Sequence, residues 1–110
     1  MALNKKNRLK KKKDFEKVFS RGKSVKGNFL FVKYLENDFG YPRIAFVVSS
    51  KVSKKAVIRN RVRRLLSETS RMWLTNIRPM DVVVIVNKNI IKTPKDKITE
   101  DLSVVFKKIK

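Results

Sequence analysis

Phe15, Val18 and Phe19 recur at i, i+3 and i+4, the spacing of one helical face, and the rhythm stops at Gly22. Asp14 and Glu16 stand in the first turn, where negative charge suits a helix N-terminus. The spacing predicts a short helix whose phenylalanines serve either as core anchors or as a stacking surface for a ligand. From Phe29 to Leu35 (FLFVKYL) the pattern turns aromatic and β-branched, which predicts a strand. Phe29, Phe31, Lys33 and Leu35 share one of its faces; Leu30, Val32 and Tyr34 share the other. Glu36-Asn-Asp-Phe-Gly-Tyr-Pro42 is turn chemistry, so a strand over Arg43 to Ser49 is expected to return as a hairpin partner. Its centre (Ile44-Ala-Phe-Val-Val48) and that of a later strand (Val82-Val-Val-Ile-Val86) are apolar without alternation. Both are expected to be central and covered on both faces.

Between those strands a helical pattern runs from roughly Ser53 to Leu74 and ends before Arg78-Pro79. At about 100° per residue, Ile58, Val62, Leu65, Leu66, Thr69, Met72 and Trp73 form the stripe expected to bury against the sheet. Opposite lie Ala56, Asn60, Arg63, Ser67 and Arg71, with Arg64 beside them; Arg59 and Arg61 border the stripe. A last helix should start with Thr93 as N-cap, Pro94 as its first residue and Asp96 three after the cap. Its apolar stripe is Ile98, Leu102, Val105, Phe106 and Ile109. The elements predict a small α/β sandwich in one domain over residues 1–110, with residues 1–12 a basic, partly flexible arm. Chirality rules alone predict a right-handed crossover through the long helix.

Charge changes the picture most. The 110 residues carry 29 Lys+Arg against 9 Asp+Glu, a net charge of +20. A compact chain tolerates such self-repulsion most easily beside a polyanion, nucleic acid first and an anionic membrane second. No apolar run approaches the roughly 20 residues that span a bilayer. The start, Met-Ala-Leu-Asn-Lys-Lys, lacks the apolar segment of a signal peptide, so a cytoplasmic protein is expected. Cysteine and histidine are both absent, which removes thiolate chemistry, the commonest general base and the commonest zinc ligand. The acids are scattered and no glycine-rich phosphate loop exists. No catalytic residue, protein-held metal or small-molecule substrate is expected, although a lone carboxylate on Mg²⁺ is conceivable.

The run Ala56-Val-Ile-Arg-Asn-Arg-Val-Arg-Arg-Leu-Leu66 carries its cations as arginine, whereas Lys5, Lys6 and Lys10 to Lys13 of the arm are lysine. Arginine's planar fork matches phosphate with paired hydrogen bonds, and lysine acts as a point charge. Lys51, Lys54 and Lys55 add charge near the helix start, where backbone N–H groups already favour anions. A merely solvated face would mix in glutamates at i, i+4, yet Glu68 is the only acid between Lys51 and Leu74. The pattern favours RNA or DNA contact over a solvated face. The basic arm reads equally as a solubilising tail.

Asn7-Arg-Leu-Lys, Asp14-Phe-x-x-Val-Phe19-x-x-Gly22, Ser24-Val and Ala56-Val-x-Arg-Asn-Arg-x-x-Arg64 together resemble the protein subunit of bacterial ribonuclease P. The likeness runs from about residue 7 to residue 107. It implies an α/β two-layer sandwich with about four strands, of the ribosomal-protein-S5-domain-2-like kind, and a left-handed βαβ crossover through the arginine helix. It implies further that a catalytic RNA, using Mg²⁺, cleaves the 5′ leader from precursor tRNA while the protein binds both RNAs. By resemblance, Lys51, Lys54, Lys55, Arg59, Asn60, Arg61 and Arg64 would bind the RNA subunit. Arg8, Lys10, Lys11, Phe15, Phe19, Tyr34 and Arg63 would line the leader cleft. On that implication Phe15 and Phe19 are exposed to a single strand, where stacking is tolerant of sequence. A ribosomal or architectural RNA-binding protein is the alternative, and a self-contained metal-dependent nuclease a third possibility.

Overall fold

The computed structural model describes residues 3–109. Its elements are α1 (Lys12–Arg21), β1 (Lys23–Lys26), β2 (Leu30–Glu36), β3 (Arg43–Val47), α2 (Ala56–Ser70), β4 (Met80–Val86) and α3 (Lys95–Ile109). Short 3-10 turns occupy Lys5–Asn7, Arg71–Trp73 and Lys88–Lys92. The sheet order is β1-β2-β4-β3, with β4 antiparallel to β2 and parallel to β3.

The unalternating valines of β4 are central as expected, buried at every position but Ile85. The expectation for β3 fails twice. It is an edge strand, and it does not return as the hairpin partner of β2, because β4 lies between them. A strand apolar on both faces gains most from an interior place, so β4 sits beside β2 and displaces the sequence neighbour. The hairpin partner of β2 is β1, whose Lys-Ser-Val-Lys carries no hydrophobic signature.

One sheet face is the main core. Leu30, Val32, Ile44, Val82, Val84 and Val86 pack against Leu66 of α2 and Ile98, Leu102, Val105, Phe106 and Ile109 of α3. Trp73 stacks on Phe106 with ring centroids 5.6 Å apart. The other face carries α1 and Leu9 of the arm: the buried Val18 of α1 meets Leu9 and Val83, with Phe15 packed alongside. Gly22 ends α1 in extended geometry, not in the left-handed conformation. Glycine is needed there for approach: a Cβ would stand 2.4 Å from the Val18 carbonyl oxygen and 2.7 Å from that of Tyr34.

The basic arm packs from Leu3 onward. Leu3, Asn7 and Leu9 are buried, the Leu9 N–H donates to the Ile44 carbonyl at 3.1 Å, and the Asn7 amide donates to the Pro42 carbonyl at 2.8 Å. These contacts dress the exposed edge of β3, a covering that edge strands commonly need.

Three local expectations are corrected. Helix α2 starts at Ala56 and leaves α geometry after Ser70, so Met72 falls in the 3-10 turn and is 66% exposed rather than in the apolar stripe. Ser67 does not face outward; it is fully buried and its hydroxyl donates to the Arg63 carbonyl at 2.8 Å. Thr93 does not cap α3: its hydroxyl donates backwards to the Asn89 carbonyl at 2.9 Å, and the Pro94 carbonyl receives the first helical N–H groups.

Candidate nucleic-acid interface

Side chains on the α1 face of the sheet fall in rows set by strand register. Leu35, Asp81 and Arg43 form one row, Lys33, Val83 and Ala45 the next, and Phe31, Ile85 and Val47 the third. Helix α1 is too short to cover them all, and Phe31, Ile85 and Val47 remain half-buried. Phe19 projects from α1 at 43% exposure, and the Lys33 ammonium reaches its carbonyl at 3.5 Å. Phe15 is half-buried against Leu9, Val18 and Val83. Phe15 is therefore part anchor and part surface, while Phe19 is mostly surface. An aromatic and aliphatic floor with a lysine beside it suits stacked bases and a phosphate backbone.

Tyr34 does not join this face. With Leu30 and Val32 it points to the main core, where it packs as a partly buried residue. Strand alternation makes this unavoidable once Lys33 lies beside Phe19. Phe31 and Lys33 are the residues that sequence reasoning missed. Their shared parity with Leu35 was visible, but which parity met α1 was not.

A second groove follows the β3 edge, lined by Arg8, Lys10, Phe15, Ala45, Phe46 and Arg63 among others. It brings the arm, α1 and α2 together, and so gathers Arg8, Lys10, Phe15 and Arg63 of the expected set. The Arg8 guanidinium is tied to the Leu3 carbonyl at 3.1 Å, and the neighbouring Lys11 is exposed. The buried arc of α2 is turned by about a quarter of the helix toward this groove, since Ser67 and Ser70 are both buried. Their small side chains let the helix come close, and Arg59 and Arg63 ride its border half-buried.

Asn60, Arg61 and Arg64 instead face solvent, as do Lys51, Lys54 and Lys55. The Arg63 guanidinium donates to the Asn60 side-chain oxygen at 2.5 Å, and that of Arg59 donates to the Ser53 carbonyl at 2.9 Å. Arg59 thus fastens the loop carrying the lysines to the helix. The arginines of α2 are therefore divided, with Arg63 in the groove, Arg61 and Arg64 away from it, and the half-buried Arg59 turned to the loop before the helix.

Among the described residues, ion pairs engage Arg43 and Arg78 alone of the cations. Arg43 is bidentate to the buried Asp81 (2.8 and 2.7 Å) and reaches Asp14 at 3.4 Å. The hydrogen bonds to Asp81 hold its guanidinium above the ordinary arginine value. Among the described residues no arginine of α2 pairs with a carboxylate, and Arg64 makes no ion pair with Glu68 one turn on. Unpaired arginines on a rigid helix remain available to phosphates. Among the described residues no cluster of His, Cys, Asp or Glu could hold a metal ion, and no helix is long and apolar enough to cross a membrane.

Residues 3–110 match the family model described as Ribonuclease P. The ribonuclease P protein component of a Thermoanaerobacter species is 40% identical over 93 residues, covering 84% of this chain and 73% of that protein. That of an Exiguobacterium species is 36% identical over 108 residues, covering 98% and 94%. Among solved structures, a Staphylococcus aureus RNase P protein mutant with defective mRNA degradation activity superposes with a TM-score of 0.87 at 28% identity, covering 94% of this chain and 87% of that one. The Thermotoga maritima RNase P protein, in complex with 1-(4-fluorophenyl)-2-thiourea, gives 0.85 at 29% identity, covering 94% and 100%.

Proposed function

The chain belongs to the ribonuclease P protein-component family, whose members are subunits of an endoribonuclease of tRNA processing, and from that premise we propose that it grips two RNAs on two faces. The outer face of α2, with Asn60, Arg61 and Arg64 and the lysines Lys51, Lys54 and Lys55, binds the catalytic RNA subunit, and Arg59 holds the lysine loop in place. The α1 face of the sheet binds the 5′ leader of precursor tRNA. There Phe15 and Phe19 stack bases, while Lys33, Arg63, Arg8, Lys10 and Lys11 hold phosphates. Lys33 takes the role expected of Tyr34 and exchanges a stacking ring for a charge. The observation that carries this reading is the division of unpaired arginines along α2, with Arg63 in the aromatic groove and Arg61 and Arg64 away from it.

The protein contributes binding and positioning, and bond cleavage belongs to the RNA and its Mg²⁺. The described carboxylates do not fit a magnesium site of the protein's own: Asp14 and Asp81, which converge on one point, are both engaged by Arg43. Holding the leader raises substrate affinity without a chemical group of the protein touching the scissile phosphate. We place this activity in the cytoplasm, with precursor tRNA.

The test is reconstitution with the RNA subunit and precursor tRNAs whose leaders are full-length or trimmed. Phe19→Ala should weaken only the substrate with a full-length leader, and RNA-free protein should cleave neither. Equal weakening of both substrates, or cleavage without RNA, refutes the proposal.

A further inference from the structure

We propose that the apolar groove between α2 and the segment entering α3 receives an unstacked base of the RNA subunit. The inference rests on the reading that the outer face of α2 binds that RNA, and it assigns that face a base-binding slot beside its phosphate contacts. Ile58, Val62 and Leu65 of α2 form one wall; Ile90, Ile91 and Ile98 form the other. The floor is core, since Ile90 and Ile98 are buried, but Ile91 is 45% exposed and the α2 wall only half-buried. Val57, 69% exposed, stands one turn before Arg61 and extends the apolar surface along the helix.

Charge selects the occupant. Arg61 and Lys95 line the groove and no carboxylate does. Lys88, Lys92 and Lys97 are exposed on the segment that builds the second wall. Apolar walls ringed by unpaired cations fit a ligand that is flat and apolar at one end and anionic at the other, which describes a nucleotide. A second copy of this chain, itself at +20, would be repelled. Size agrees. At about 230 Å³ the groove is below the roughly 300–1,000 Å³ of pockets for drug-sized ligands, which suits one heterocycle better than a peptide helix.

The position also bears on mechanism. Phosphate contacts set register and orientation but carry no sequence information, whereas a base held in a slot fixes one nucleotide to one place. Arg61 would then bind the phosphate flanking the inserted base and lock the helix at a single register on its RNA.

The experiment measures affinity for the RNA subunit against KCl for wild type, Ile91→Ser and Arg61→Gln, with thermal melts to verify folding. Ile91→Ser should weaken binding about tenfold, as expected from uncovering one or two methylene-sized groups, and leave the salt slope unchanged. Arg61→Gln should lower the slope by about one phosphate's worth. Chemical probing of base edges should show one unpaired nucleotide of the RNA protected by wild type and released by Ile91→Ser. Wild-type affinity in Ile91→Ser, or a changed slope, overturns the slot. So does a loss seen only with leader-bearing precursor, or wild-type self-association that Ile91→Ser abolishes. Failure of wild type to bind the RNA subunit would instead overturn the proposed function.

Discussion

Gly27→Ala should destabilise the protein through a residue 74 positions away, and the size of that effect follows from one carboxylate. Asp101 of α3 is 3% exposed. Its oxygens accept the Asn28 N–H at 2.7 Å and the Phe29 N–H at 2.9 Å, tying the β1–β2 turn to the helix. A Cβ on Gly27 would lie 2.6 Å from both carboxylate oxygens. The φ of Gly27 is not positive, so backbone strain adds nothing and the whole cost is displacement of Asp101. Two charge-assisted bonds at roughly 1.5 kcal/mol each, the low end because the turn is partly open to water, give about 3 kcal/mol. For a chain this size that lowers Tm by roughly 12 °C, within a total stability on the order of 5–15 kcal/mol. Asp101→Ala should cost about the same. The double variant should then cost little more than either single one, because truncating the carboxylate leaves room for the added methyl group. Urea melts of the four proteins, followed by circular dichroism, give the coupling directly. Additive effects would refute the reasoning.

Phe19→Ala should cost under about 1 kcal/mol of stability but about 1–3 kcal/mol of leader affinity, while Phe15→Ala should cost both, as thermal melts and leader-length binding will show. Leu102→Ala, in the main core, should cost about 2–5 kcal/mol in urea melts, and Met72→Ser, in the exposed turn, less than about 0.5. Because Asp81 raises the Arg43 pKa, the contribution of that pair is fully present below the ordinary arginine value and is lost only in strong alkali, as pH climbs through the raised one. The pair should therefore add no slope to stability between pH 6 and 9, and subtracting an Arg43→Met profile from wild type checks it. The same variant strands a nearly buried Asp81 and should cost about 3–5 kcal/mol.

Local rhythm carried most of the fold. The stripe of α3 and the unalternating valines of β4 were plain in sequence because a single element decides them. Pairing was not, since it depends on competition between strands: β4 lies between β2 and β3, and β1 pairs along the other edge of β2. The candidate site divides along the same line. Arg59, Asn60, Arg61 and Arg64 announce themselves by spacing and residue type. Lys33 does not, because a lone lysine in a strand says nothing until α1 selects which parity it faces. Likeness places Tyr34 in the leader cleft, whereas the strand turns it to the main core, and one residue of register is enough to move a side chain through the sheet. Ser67 departs from its expected outward place for a related reason. An ideal wheel gives relative angles, but the depth to which α2 sinks at the β3 edge depends on the small serines themselves.

That rotation of α2 joins fold to function. Had the helix buried the arc its leucines alone suggest, Arg63 would point outward with Arg64, and all its cations would serve one partner. Ser67 and Ser70 let the helix roll toward the β3 edge, so Arg63 is delivered to the groove beside Phe15, Arg59 turns to the Ser53 carbonyl, and Arg61 and Arg64 stay outside. On the proposed reading one element then belongs to both surfaces. A larger residue at position 67 should roll it back. Ser67→Leu cannot be accommodated where a serine is already fully buried, so it should push α2 off the sheet edge and cost roughly 1–3 kcal/mol, seen as a lower urea midpoint. Leader-dependent affinity should fall further than affinity for the RNA subunit, because only the groove side of the helix moves away from its neighbours. Equal losses on the two surfaces would mean that the roll of α2 does not divide them.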